Sequence, residues 1–190
     1  MTAFEPINIP HVAKLRVQDF MLLHDAGVFD ECAKSELIEG EIWVMNAAYS
    51  NHGKTQFELA FLLKIAMQSA EIEGRVYTAT SVDLGSDSVP EPDVVVAYDH
   101  EGGPLPRSKV MLLIEVADST LKTDLGRKAN LYAKAGVPEY WVADVEGKMI
   151  HQHWSPSANG YAERREVAFG AEVESATLKE VIIETTGLLN

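Results

Sequence analysis

The sequence predicts an α/β (α+β) fold, and three observations carry that expectation. Residues Pro90 to Asp144 read as strand, loop, strand, helix, strand: PEPDVVVAY, MLLIEVADST, DLGRKANLYAKAG, VPEYWVAD. A long helical pattern, NHGKTQFELAFLLKIAMQSAEIEG, precedes them, and alternating, turn-punctuated segments follow. At 190 residues and 46% hydrophobic the chain can bury a full core, and a guide of roughly 150 residues per domain favours a single domain over 1–190.

Residues 1–16 are expected to be irregular, because Pro6 and Pro10 interrupt any regular element. Val17 to Ala26 reads as a short helix with Phe20, Leu23 and His24 on one face and Gly27 as its stop. SELIEGEIWVMNAA predicts a hairpin that turns at Glu39-Gly40 and carries Glu36 in its first strand. The helix from Ser50 or Asn51 to Gly74 is apolar over most of its circumference, which predicts packing on a sheet. His52 and Gln56 share its first turn, where a pair of polar residues can simply cap or hydrate the helix start.

RVYTAT and SVDLG read as short strands, and the loop 98–109, with two glycines and two prolines, as an exposed, mobile connection. The helix 124–135 begins at Thr123 or Asp124 and stops at Gly136. Beyond Asp144 the pattern is a C-terminal β-meander, with His151 and His153 on one face of a strand. Two histidines without a third ligand of known position do not make a zinc site.

Two acids are placed unlike surface charges, Asp93 opening DVVVA and Glu115 inside MLLIEVA. Alternation puts Glu115 on the face of Met111, Leu113 and Ala117, where a lone carboxylate costs several kcal/mol, roughly, unless a cation or donors meet it. The partner is a divalent metal or a basic side chain. Lys128 shares a helix face with Leu131, Tyr132 and Ala135, so a structural Glu115–Lys128 ion pair is one reading and a metal site the other.

With 29 acidic and 16 basic residues the net charge is −13, which argues against tight, unspecific binding to a polyanion. Cys32 is the only cysteine, so neither an intrachain disulfide nor a cysteine-based zinc site is expected. No signal-peptide h-region and no apolar run of membrane-spanning length is present, and a cytoplasmic protein without membrane attachment is expected.

The ordered set SELIEGEI, His52, PDVVV, LLIEVADSTLKTDLGRK and YAKAGVPEYWVAD resembles the bacterial Uma-two-type restriction endonuclease family, within the PD-(D/E)XK nuclease superfamily. The resemblance implies a restriction-endonuclease-like core, a central mixed β-sheet flanked by helices, with an N-terminal helix and hairpin and the β-meander at the end. It implies metal-dependent hydrolysis of DNA phosphodiester bonds, with Asp93, Glu115 and the Val116 carbonyl holding Mg²⁺ or Mn²⁺. Glu36 and His52 match rim positions of the site. Ala117 stands where the superfamily motif has lysine, and Lys128 is the family position that supplies a basic group instead. DNA binding is expected to be weak or partner-dependent on this acidic chain. A homodimer is expected from the resemblance and from the apolar segments around Trp43 and Trp154. The alternatives are a binding or regulatory module that keeps the nuclease fold without catalysis, and a hydrolase of a small phosphoester.

Overall fold

The computed structural model describes residues 12–46 and 50–189. Of the segment expected to be irregular, residues 1–11 lie outside the described residues and 12–16 have no regular structure. Helix α1 (Val17–Asp25) leads to a hairpin of β1 (Lys34–Ile38) and β2 (Glu41–Met45). Its two-residue turn has φ of 50° at Glu39 and 77° at Gly40, the left-handed pair that matches the twist of antiparallel strands. Helix α2 (Ser50–Ser69) follows and stops five residues before Gly74.

The central sheet has six strands in the order β10-β9-β8-β7-β5-β3. They are β3 (Arg75–Thr78), β5 (Val94–Ala97), β7 (Val110–Ala117), β8 (Glu139–Asp144), β9 (Met149–Ser157) and β10 (Gly160–Ala168). Within this sheet only β7 and β8 pair in parallel, and their crossover is helical from Leu121 to Lys134. That run comprises α3 (Leu121–Thr123), a π turn (Asp124–Lys128) and α4 (Ala129–Lys134). The sheet is therefore mixed, and helices cover both faces. Leu59, Leu63 and Met67 of α2 pack on Val94, Val96, Leu112, Ile114 and Trp141, while Leu131 and Tyr132 of α4 pack on Val95, Leu113, Tyr140 and Val142.

Three details differ from the expectations. A bulge opposite Val96 and Ala97 leaves Met111 as the extra residue of β7, so Met111 falls into the α2-side cluster and only Leu113 and Ala117 share the face of Glu115. In the loop after β5, Leu105 is buried, and β6 (Leu105–Pro106) pairs in parallel with β4 (Val82–Asp83). On α2, Phe57, Phe61 and Ile65 remain exposed, although the rest of its apolar surface is buried.

The tail, with β11 (Glu172–Glu174) and β12 (Ile182–Glu184), is fastened to the sheet by Glu139 at the start of β8. This carboxylate, 0% exposed, accepts hydrogen bonds from Trp141 Nε1 at 2.6 Å, Ser175 Oγ at 2.6 Å, the amides of Ala176 and Thr177 at 3.0 and 2.9 Å, and Thr177 Oγ1 at 2.7 Å. A carboxylate accepts at every lone pair, whereas an amide would present N–H against N–H. Glu139→Gln is therefore expected to destabilise the fold by about 3 kcal/mol, read as a lowered urea midpoint with little change in m-value.

Candidate active site

The site forms where β5 and β7 part. Their ladder ends at Val94 opposite Ile114, so the Val116 amide has no strand partner on that side. Asp93, one residue before β5, closes this gap: its Oδ2 accepts the Val116 N–H at 2.8 Å. Alternation places Asp93 with Val95 and Ala97, and Glu115 with Leu113 and Ala117, so both acids face the α4 side of the sheet. They are 7% and 3% exposed.

Each carboxylate has one oxygen committed. Asp93 Oδ2 also meets His52 Nε2 at 3.1 Å, from the first turn of α2, and Gln56 Nε2 donates to the Asp93 carbonyl at 2.8 Å. The polar pair of that turn thus fixes Asp93 rather than capping the helix. Glu115 Oε1 accepts Lys128 Nζ at 3.0 Å and Tyr132 Oη–H at 2.6 Å, both from the helix after β7. Lys128 Nζ also donates to Glu36 Oε1 at 3.1 Å, and Glu36 accepts the Glu91 amide at 2.8 Å. The structure therefore brings Asp93, Glu115, Lys128, Glu36 and His52 together. Lys122, by contrast, stands exposed on α3.

One participant is absent from the sequence expectations. Lys34 Nζ lies 3.6 Å from both Glu36 Oε1 and Asp93 Oδ1. The signal was two residues from Glu36: on a strand, Lys34 and Glu36 must share a face. Asp124 is a second addition, buried behind Lys128 and bonded by Thr120 rather than serving as an exposed helix-start residue.

Burial and charge oppose each other throughout the cluster. Burial disfavours the Lys128 ammonium, but Glu115, Glu36 and Asp124 outweigh it and raise its pKa. Lys34 is raised in the same way, by Glu115, Asp93 and Glu36 against burial. Burial raises Glu115 despite the pull of Lys128. Asp93 goes the other way, because the His52 hydrogen bond, Lys34 and the Val116 amide together overcome its burial.

The donor chemistry fits a hard divalent cation. Asp93 Oδ1 and Glu115 Oε2 accept no hydrogen bond among the described residues, and the Val116 carbonyl leaves its strand on the same edge as the Val116 amide. Four carboxyl groups, Glu36, Asp93, Glu115 and Asp124, act on the two ammonium groups of Lys34 and Lys128, so a divalent cation would enter a cluster that already holds positive charge of its own. Among the described residues no three side chains of His, Cys, Asp or Glu converge as a full ligand set. Such a cation would therefore rely on two carboxylates, a backbone carbonyl and water.

The family model Uma2, described as "Putative restriction endonuclease", matches residues 17–186 of the chain. The chain is also similar to the crystal structure of "a putative nuclease belonging to DUF820 from Anabaena variabilis", with a TM-score of 0.69 and 17% identity over 92% of this chain and 97% of that one. At that identity the likeness concerns the fold. No curated protein matches.

The His52–Asp93 contact has a pH signature. The hydrogen bond to Asp93, working against burial, raises the His52 pKa, so the stabilisation it adds is complete below the ordinary imidazole value of about 6.5 and is lost as pH rises through the raised value. His52→Ala is expected to lower the unfolding free energy more near pH ~5.5 than near pH ~8.5. Urea titrations of both proteins at the two pH values measure the difference, and equal losses would exclude a protonated His52.

Proposed function

The chain belongs to the Uma2 family, "Putative restriction endonuclease", and from that premise we propose that it is a metal-dependent endonuclease hydrolysing DNA phosphodiester bonds. The observation that carries this reading is the pairing of Asp93 and Glu115 on one face of the sheet, each with one oxygen fixed by the protein and one that accepts no hydrogen bond among the described residues. We assign Asp93, Glu115 and the Val116 carbonyl as the metal ligands. Mg²⁺ or Mn²⁺ held there would offset charge on the scissile phosphate and make a water more acidic.

The remaining residues hold the acids in place. His52 and the Val116 amide keep Asp93 Oδ2 turned away, which leaves Oδ1 for the ligand. Lys128 and Tyr132 do the same for Glu115, and Lys128 would add positive charge to a site that takes a phosphate. Glu36 anchors Lys128 from the rim. With a net charge of −13, affinity for DNA is weak and depends on the metal or on a partner.

We further propose that two copies associate, since a two-fold dimer presents equivalent sites to the two strands of a duplex. An arginine lies over each Trp expected to mediate this, Arg127 at 5.0 Å from Trp43 and Arg165 at 5.8 Å from Trp154, and Trp43 is 37% exposed. The α2 stripe is more open. Phe57 and Ile65 flank Phe61 at equal helical spacing, and the three are 68%, 45% and 49% exposed respectively. Light scattering is expected to report a dimer that Phe61→Lys converts to monomer. A monomeric wild-type chain at high concentration removes this part of the proposal.

The activity is tested with supercoiled plasmid. Wild type is expected to nick it with Mg²⁺ or Mn²⁺ and to stop when chelator is added, and Asp93→Ala is expected to lose both nicking and Mn²⁺ binding. Absence of nicking would favour a non-catalytic module, and turnover of small phosphodiesters alone would favour a small-substrate hydrolase.

A further inference from the structure

We propose that Lys34 is the basic group that serves the scissile phosphate in place of the lysine missing at Ala117, and that it competes with the divalent cation for Asp93. The inference rests on the endonuclease reading above and assigns within that site a residue from the N-terminal hairpin.

The two lysines of the cluster are held very differently. Lys128 Nζ makes two hydrogen bonds, at 3.0 and 3.1 Å, to carboxylates that are themselves buried. Its side chain is 9% exposed. Moving it would strip Glu36 and Glu115 of their shared cation, so it is a fixed charge. Lys34 Nζ stands 3.6 Å from Asp93 Oδ1 and Glu36 Oε1, beyond hydrogen-bonding distance. Its side chain is 18% exposed, twice the Lys128 figure, which puts it at the solvent edge of the acids.

Lys34 also faces the oxygen that matters. Asp93 Oδ2 is occupied by the Val116 amide and His52, so Oδ1 is the oxygen left for a cation, and Lys34 is the charge lying against it. Two cations on one carboxylate oxygen repel each other. The four-carbon stem of Lys34, anchored at the first residue of β1, lets the ammonium turn outward, where the phosphate arrives. Ala117, two residues after Glu115 on the same face, is a buried, uncharged member of the core, so the strand itself supplies no basic group there.

Lys34→Met tests both halves, with a readout independent of turnover. By calorimetry the variant is expected to bind Mn²⁺ several-fold more tightly than wild type, because the competing charge is gone. Its plasmid nicking is expected to fall by about 100-fold with little change in the DNA concentration at half-maximal rate. Lys34→Arg, which keeps the charge, is expected to recover part of the rate and to bind Mn²⁺ like wild type. A purely structural lysine would give weaker or unchanged Mn²⁺ binding in the Met variant, and that result overturns the competition. Tighter Mn²⁺ binding with wild-type nicking overturns the phosphate role. If wild type itself does not nick, the endonuclease reading and the phosphate role fail together, while the Mn²⁺ titration still decides the competition. Should Lys34→Met not fold, lysine side-chain NMR of the wild-type chain replaces it. On addition of Mg²⁺ the Lys34 ε-methylene signal, identified from Lys34→Arg, is expected to move more than that of Lys128, and an unmoved signal overturns the proposal.

Discussion

Everything around the sheet edge depends on one buried ammonium. Lys128 Nζ joins Glu36 of the hairpin to Glu115 of the central sheet, and its own helix is the crossover from β7 to β8. Three segments distant in sequence thus share one charge. Each partner would be costly to bury alone, since an unpaired interior ion carries a penalty of several kcal/mol, roughly, even after relaxation. Together they are tolerated because Tyr132 and the Glu91 amide take up further lone pairs. The pair is weak evidence for stability as such. It is better evidence that the arrangement of acids is worth its burial for another reason.

That reason is legible in how the sheet is built. Where β5 leaves β7, a strand edge would ordinarily show unpaired backbone groups. Asp93 satisfies the Val116 amide, so a structural need and a proposed metal ligand coincide at one position. Local donors favour the charged form of Asp93, while burial pushes Glu115 toward its neutral form despite the pull of Lys128. Two acids of similar sequence setting therefore differ in character because donors outweigh burial for Asp93 at the open edge, whereas burial outweighs Lys128 for Glu115.

Much of this could be read from residues alone, and the exceptions have physical causes. Asp93 and Glu115 announced themselves as charges against apolar strand residues, and Lys128 as the basic residue on the buried face of the following helix. The hairpin was visible in Glu39-Gly40, which only a turn with two positive φ angles explains well. Strict alternation puts Met111 on the face of Glu115 and cannot foresee the bulge that turns it to the other. Lys34 shares a strand face with Glu36, but its meaning depends on where the hairpin docks, which is a long-range fact. The loop after β5 looked mobile by composition, but one buried leucine was enough to bind part of it into a two-stranded ladder. For α2 the periodicity identified a helix and could not say that a third of its apolar stripe would be left uncovered.

The π turn at Asp124–Lys128 bears on how the molecule comes apart. Consecutive side chains on a helix point in different directions, and within this turn those of Arg127 and Lys128 do so. Arg127 reaches outward to Glu39 and Glu41 and over Trp43, while Lys128 reaches inward to Glu36. The hairpin is thereby gripped on both its edges by two neighbouring residues of a single turn. It cannot lift from the sheet by fraying, one contact at a time, because releasing the inner contact requires the same backbone to surrender the outer one. Opening of this region should thus be a concerted event, and amide hydrogens of the hairpin and of the crossover helix belong to one cooperative unit rather than two.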